Sequence, residues 1–175
     1  MAGIKTNKKK LNHTLEKVCD ILNNNDINDW FIFFGTLLGV VRENSCIKGD
    51  DDLDIMINHD RQKLGSIFEK NGFKFKPKNF GINDQKKLLK TLPSRIYTSV
   101  DFYLCDVNDK NYFSPWQNVE VQNVEIETIQ WRDTQINIPN NSESLLEKIY
   151  GENWRTPIES DKIGGIYDKS FKKII

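Results

Sequence analysis

Aspartate occupies four of the five positions in Asp50-Asp51-Asp52-Leu53-Asp54, and the run leads directly into the apolar Ile55-Met56-Ile57. Packing carboxylates this densely is unfavourable in a structural segment, because like charges repel and Asp is a poor strand former. Strand alternation nevertheless sorts the segment cleanly. Leu53, Ile55 and Ile57 fall on one face, and Asp52 and Asp54 share the other. An acidic run is by default a solvated turn, but this one enters a buried strand. A hard divalent cation such as Mg²⁺ takes oxygen ligands and is commonly held by one or two carboxylates together with substrate phosphates, so a metal would offset the repulsion.

A candidate phosphate site precedes the run by a short spacer. Trp30-Phe31-Ile32-Phe33-Phe34 reads as a buried strand stopped by Gly35-Thr36, and Leu37 to Arg42 as a helix. Gly35 and Thr36 therefore stand where a strand gives way to the positive end of a helix, with backbone N–H groups turned towards an anion. Thr36 offers a hydroxyl donor or cap, and Arg42 and Lys48 are cations for further phosphate oxygens. Gly-Thr after a strand is weak evidence alone. Followed by Asp-x-Asp on the next strand, it becomes strong.

The remaining segments give a mixed α/β (α+β) pattern with hairpins. Leu11, Leu15, Val18, Cys19 and Leu22 make an opening amphipathic helix, preceded by a basic tail over residues 1–10 that is expected to be flexible. Arg61 to Lys70 is a helix ending at Asn71-Gly72, and Phe73 to Lys76 a short strand. Lys86 to Leu92 is ambiguous. Arg95 to Leu104 alternates as one long strand, with Ile96, Val100 and Phe102 or their neighbours buried and Asp101 in its middle. Hairpins are expected between Asp106 and Pro139, and a helix over Ser142 to Tyr150 capped by Asn141 or Ser142 and stopped by Gly151. Trp154 and Tyr150 are better read as core packing than as stacking platforms, and His13 and His59 as surface residues. No linker or repeat divides the 175 residues, so one domain is expected.

Composition narrows the partners. Basic and acidic residues balance at 25 each, which leaves no global positive field for a nucleic acid. The three cysteines, Cys19, Cys46 and Cys105, lack C-x-x-C spacing and fit a reducing compartment. No stretch approaches the roughly 18 apolar residues of a membrane span, and a cytoplasmic protein is the expectation.

Gly35-Thr36-Leu37-Leu38-Gly39-Val40-Val41-Arg42, followed by Ile47-Lys48-Gly49-Asp50-Asp51-Asp52-Leu53-Asp54-Ile55, resembles the LicD family. So do Ser99-Val100-Asp101-Phe102-Tyr103 and the segment Leu145 to Pro157. The family includes bacterial phosphocholine transferases and fukutin-type ribitol-phosphate transferases. The resemblance implies the nucleotidyltransferase fold, a small mixed twisted sheet flanked by helices. It implies that Asp52 and Asp54 hold Mg²⁺ or Mn²⁺, that Asp101 completes the site and orients or deprotonates an acceptor hydroxyl, and that Asp50 either joins the metal site or supports the residues that form it. It also implies a CDP-linked donor and a glycan or other hydroxyl acceptor. Gly49 stands where the family usually has Trp. The middle of the chain lacks the cysteine-rich insertion of some fukutin-type members, pointing to a reduced acceptor site or to a protein partner that completes it. The same carboxylates would equally serve nucleotidyl transfer from a nucleoside triphosphate with release of pyrophosphate, and a non-catalytic nucleotide-binding module is the remaining alternative.

Overall fold

The computed structural model describes residues 7–75, 87–157 and 173–175. Helix α1 (Lys8–Asn24) is followed by β1 (Trp30–Ile32), α2 (Phe34–Glu43), β2 (Asp52–Ile57), α3 (Arg61–Lys70), β3 (Lys74–Phe75), β4 (Leu88–Leu92) and β5 (Ser99–Leu104). Then come β6 (Asp106–Asn108), β7 (Asn111–Ser114), β8 (Val119–Val121), β9 (Ile126–Trp131), β10 (Thr134–Pro139), α4 (Ser142–Tyr150) and β11 (Lys173–Ile174). The mixed α/β reading holds.

The central sheet has the order β1-β2-β5-β4-β3, and within it only β2 and β5 run parallel. All six residues of β5 are buried, as expected of a strand covered on both faces. Register sorts the two faces. Ile55 pairs with Phe102 and Phe102 with Leu89, forming an apolar face on which Phe68 of α3 packs edge-on against Phe102 at 4.8 Å. Asp54 pairs with Asp101 and Asp101 with Lys90, so the opposite face carries the charged groups. Further along that face, Phe31 meets Tyr112 of the second sheet edge-on at 5.1 Å. That sheet has the order β11-β8-β7-β6.

The β9–β10 hairpin lies against α1, where Thr134 donates to Asp20 at 2.7 Å and Asn23 donates to the Gln135 carbonyl at 3.0 Å. At the other side of the site, Arg42 of α2 donates to the Trp154 carbonyl at 3.3 Å, joining α2 to the segment after α4. Trp154 is buried, in keeping with a packing role.

Several elements differ from the sequence expectation. Helix α1 opens at Lys8 with Asn7 as its cap, so Lys8 to Lys10, expected in the tail, form its first turn. The rest of that tail, residues 1–6, lies outside the described residues, as does Lys76. Strand β1 stops at Ile32, and Gly35 and Thr36 lie inside the first turn of α2 rather than ahead of it. The long strand from Arg95 begins only at Ser99, and Ile96, expected to be buried, is 58% exposed. The reason is local: the Ser94 hydroxyl accepts from the N–H groups of Ile96 and Tyr97, closing a turn that diverts the chain from the ladder. The ambiguous 86–92 stretch contains β4.

Two devices of close packing deliver the acidic run to the sheet. A Cβ on Gly39 would lie 2.6 Å from the Ser45 carbonyl oxygen and 2.9 Å from the Ile47 nitrogen, so only glycine lets α2 touch the backbone that leads to Asp50. Asn12 of α1, buried, holds the same turn: its amide oxygen accepts from the Cys46 N–H at 2.8 Å and its amide nitrogen donates to the Ser45 hydroxyl at 2.8 Å. Gly39→Ala should therefore cost about 1–3 kcal/mol, the range for forcing an atom into a packed site. The thermal midpoint measures it; an unchanged midpoint would contradict this packing.

Candidate active site

The site forms at the N-terminal ends of β2 and β5. Gly49, at φ +89°, adopts the left-handed conformation that favours glycine and turns the chain into the acidic run. This accounts for glycine where the resembled family usually has tryptophan. Asp51 is tied by its backbone, its carbonyl accepting from the Thr98 hydroxyl at 2.9 Å and the Ser99 hydroxyl at 3.3 Å. Thr98 is itself anchored, its N–H donating to the Thr14 hydroxyl of α1 at 3.0 Å. The starts of both parallel strands are thus fastened together and to one helix.

Carboxylate oxygens of Asp50, Asp51 and Asp52 all lie within 4.8 Å of one another. Asp51, one residue ahead of β2, thus contributes its carboxylate to the same group. Asp54 lies beside Asp101 in register and is held from three directions. Its N–H donates to the Thr36 hydroxyl at 2.8 Å, its carbonyl accepts from the Phe33 N–H at 3.0 Å, and its Oδ1 accepts from the Tyr103 hydroxyl at 2.9 Å. Gln117 in turn donates to Tyr103 at 3.2 Å.

The α2 N-terminus meets these carboxylates. A Cβ built on Gly35 would fall 2.8 Å from Asp50 Oδ2 and 3.8 Å from Asp54 Oδ2, so glycine here leaves room for the acids at the positive end of the helix. Phe34 reaches this position with φ +43°, a conformation that costs a bulky residue about 1–3 kcal/mol. Its ring is wedged between Phe33 at 4.6 Å and Tyr103 at 5.8 Å. Thr36 is buried and Lys48 exposed, while half-buried Arg42 is bonded to Glu43 at 2.8 Å and to the Trp154 carbonyl.

Sequence reasoning missed Lys90. Its ammonium lies 2.8 Å from Asp52 Oδ2, 2.7 Å from Asp101 Oδ1 and 2.8 Å from Asp101 Oδ2. Burial alone would lower its pKa, but Asp101 and then Asp52 outweigh that and raise it, so it is a fixed positive charge. The signal was a lysine inside the apolar stretch Leu88-Leu89-Lys90-Thr91-Leu92, since a charge in a half-buried strand calls for a partner. His59 lies elsewhere, lining a cavity of about 460 Å³ with Lys87, Cys105 and Asp106 at the opposite ends of β2 and β5.

Charge crowding is visible in the acids. Burial, followed by the charge of Asp52, pushes Asp50 up to about 6. Asp54 is raised well above the usual carboxylate range by burial and then by Asp52, Asp50 and Asp101. One ammonium does not neutralise this cluster, and its donors are all hard oxygens, so the residues fit a divalent cation.

A raised carboxyl pKa means that the folded state holds the proton more tightly than the unfolded chain, so stability falls as pH rises through the window from about 4 to about 6. Asp50→Asn abolishes that penalty. With chelator present, the variant should be more stable than wild type near pH 7 by about 1–2 kcal/mol, the shift discounted for partial exposure, and equal to it near pH 4. Thermal unfolding at both pH values checks this, and a less stable variant near pH 7 would contradict it.

Residues 28–141 match the LicD/FKTN/FKRP nucleotidyltransferase domain, a span that contains Gly35, Asp50 to Asp54, Lys90 and Asp101. The fold is also that of the lincosamide antibiotic adenylyltransferase LnuA, solved with lincomycin bound, which superposes with a TM-score of 0.56 at 16% identity over 81% of this chain and 85% of that one. No curated protein sequence matches significantly. Among the described residues no helix is long and apolar enough to cross a membrane. With the match extending over well over half of its length, the chain belongs to the LicD/FKTN/FKRP nucleotidyltransferase-domain family.

Proposed function

We propose that the protein is a metal-dependent phosphotransferase that moves a phospho-alcohol, such as phosphocholine or ribitol phosphate, from a CDP-linked donor to a hydroxyl of a glycan. Membership of the LicD family carries this reading, together with the convergence of Asp50, Asp52, Asp54 and Asp101 on one face of the sheet. Those four carboxylates would hold Mg²⁺ or Mn²⁺, which when bound supplies a Lewis acid for the donor diphosphate and neutralises charge on the leaving nucleotide.

The chain's own residues set the geometry. Thr36 and Tyr103 hold Asp54 from its backbone and its carboxylate, so that carboxylate is oriented before substrate arrives. Asp101, at the buried centre of the site, accepts the proton of the attacking hydroxyl or orients it. Gly35 gives the donor phosphate close access to the α2 N-terminus, and Arg42 and Lys48 are its candidate outer contacts. Attack on the distal phosphorus of the CDP-alcohol forms the phosphodiester to the acceptor and breaks the diphosphate, releasing CMP.

A second reading has its own support. One similar structure is that of an adenylyltransferase, and attack on the α-phosphorus of a nucleoside triphosphate would need the same carboxylates. The released product separates the two. Phosphorus NMR with Mg²⁺, a hydroxyl acceptor mixture and CDP-choline, CDP-ribitol, CTP or ATP should show CMP from a CDP-alcohol; pyrophosphate from a triphosphate would install the second reading. Asp52→Asn and Asp54→Asn should each fold yet lose at least about 10²-fold in turnover. Near wild-type turnover in either would refute the site assignment.

A further inference from the structure

Lys90 stands in an unusual place for a residue that only balances charge. Its ladder partner is Asp101, and its ammonium reaches past that partner to Asp52 on the next strand, so it bridges two of the carboxylates assigned above to the metal. Asp50 and Asp54 converge instead on Gly35 at the start of α2. The cluster is thus split into a half neutralised by lysine and a half crowded by its own charge.

A divalent cation bound to Asp52 and Asp101 would compete with the ammonium, which already sits on both Asp101 oxygens and on Oδ2 of Asp52, and two cations that close repel strongly. The strand backbone of Lys90 is fixed by its pairing with β5, but the four-carbon stem above it is flexible, and its ammonium is a compact donor to phosphate. A quarter of the side chain is exposed, so the ammonium can leave the cluster towards solvent.

We propose that Lys90 exchanges partners during the reaction cycle: it occupies Asp52 and Asp101 in the metal-free protein, is displaced by the divalent cation, and then binds the donor's diphosphate. The inference rests on the metal-dependent phosphotransfer reading. It makes Lys90 both a competitor of the metal and a substrate-binding residue, and it orders the events, metal before donor.

Amine-acylation footprinting of the full chain, read by mass spectrometry, tests this directly, with Lys63 on the exposed start of α3 as internal reference. Lys90 should react slowly with chelator present, several-fold faster with Mg²⁺ alone, and slowly again when CDP-choline is added to the Mg²⁺ form. In parallel, Mn²⁺ binding followed by electron paramagnetic resonance should be about tenfold tighter in Lys90→Gln than in wild type, a coupling of ordinary size for two competing ligands. If Mn²⁺ binds wild type but Lys90 reactivity does not rise with Mg²⁺, the exchange is refuted and the metal reading stands. If Mn²⁺ does not bind wild type at all, both fall. The wild-type footprint keeps the test intact should Lys90→Gln fail to fold.

Discussion

The parallel pairing of β2 with β5 sets Asp54 directly beside Asp101. Adjacent like charges in a sheet weaken it, and here two more acids, Asp50 and Asp52, crowd the same end of the strands. Much of the surrounding structure bears on that arrangement. Asn12 and Thr14 of α1 fasten the two segments that lead into the strands, Thr36 accepts the Asp54 N–H, and Tyr103 donates to its carboxylate. Glycines at 35 and 39 let α2 approach both the acids and the turn that delivers them. Removing the repulsion would make the protein more stable and leave fewer oxygen donors for a cation, the usual relation between a strained site and its use.

Lys90 shows how the chain tolerates such a site. One ammonium on two acids supplies part of the neutralisation, and the raised pKa values of Asp50 and Asp54 mark the part left over. The same arrangement explains why the carboxylates point inward and converge instead of scattering into solvent. Family membership and the superposition on an adenylyltransferase of low identity agree on the scaffold, and the scaffold does not by itself fix the reaction.

The fold was legible where its causes are local. Helices α3 and α4 run over the residues expected, because their stop signals are in the sequence and Asp60 caps the N–H groups of Gln62 and Lys63. The strand of Asp52 and Asp54 followed from alternation. Lys90, Asn12 and Thr14 escaped notice for one cause, partners distant in the chain. Lys90 gains meaning only from Asp52 and Asp101, and Asn12 and Thr14 only from Ser45, Cys46 and Thr98. Nothing in the apolar stripe of α1 announces that two polar neighbours will be buried to hold loops. The late start of β5 came from a turn built by a single Ser94 hydroxyl, a competition between side chain and ladder that alternation cannot resolve. Gly35, read as a phosphate cradle on its place after a strand, also makes room for the Asp50 and Asp54 carboxylates, a closeness that its place in the chain does not announce.

The central claim is that these carboxylates constitute one divalent metal site. The most direct test is a crystal structure of the protein soaked in Mn²⁺, with the ion located by its anomalous scattering. A single strong peak bounded by Asp50, Asp52, Asp54 and Asp101, with the Lys90 ammonium withdrawn from Asp52, is the predicted result. Absence of a peak there under saturating Mn²⁺, or the strongest peak at another cluster of the surface, would contradict it.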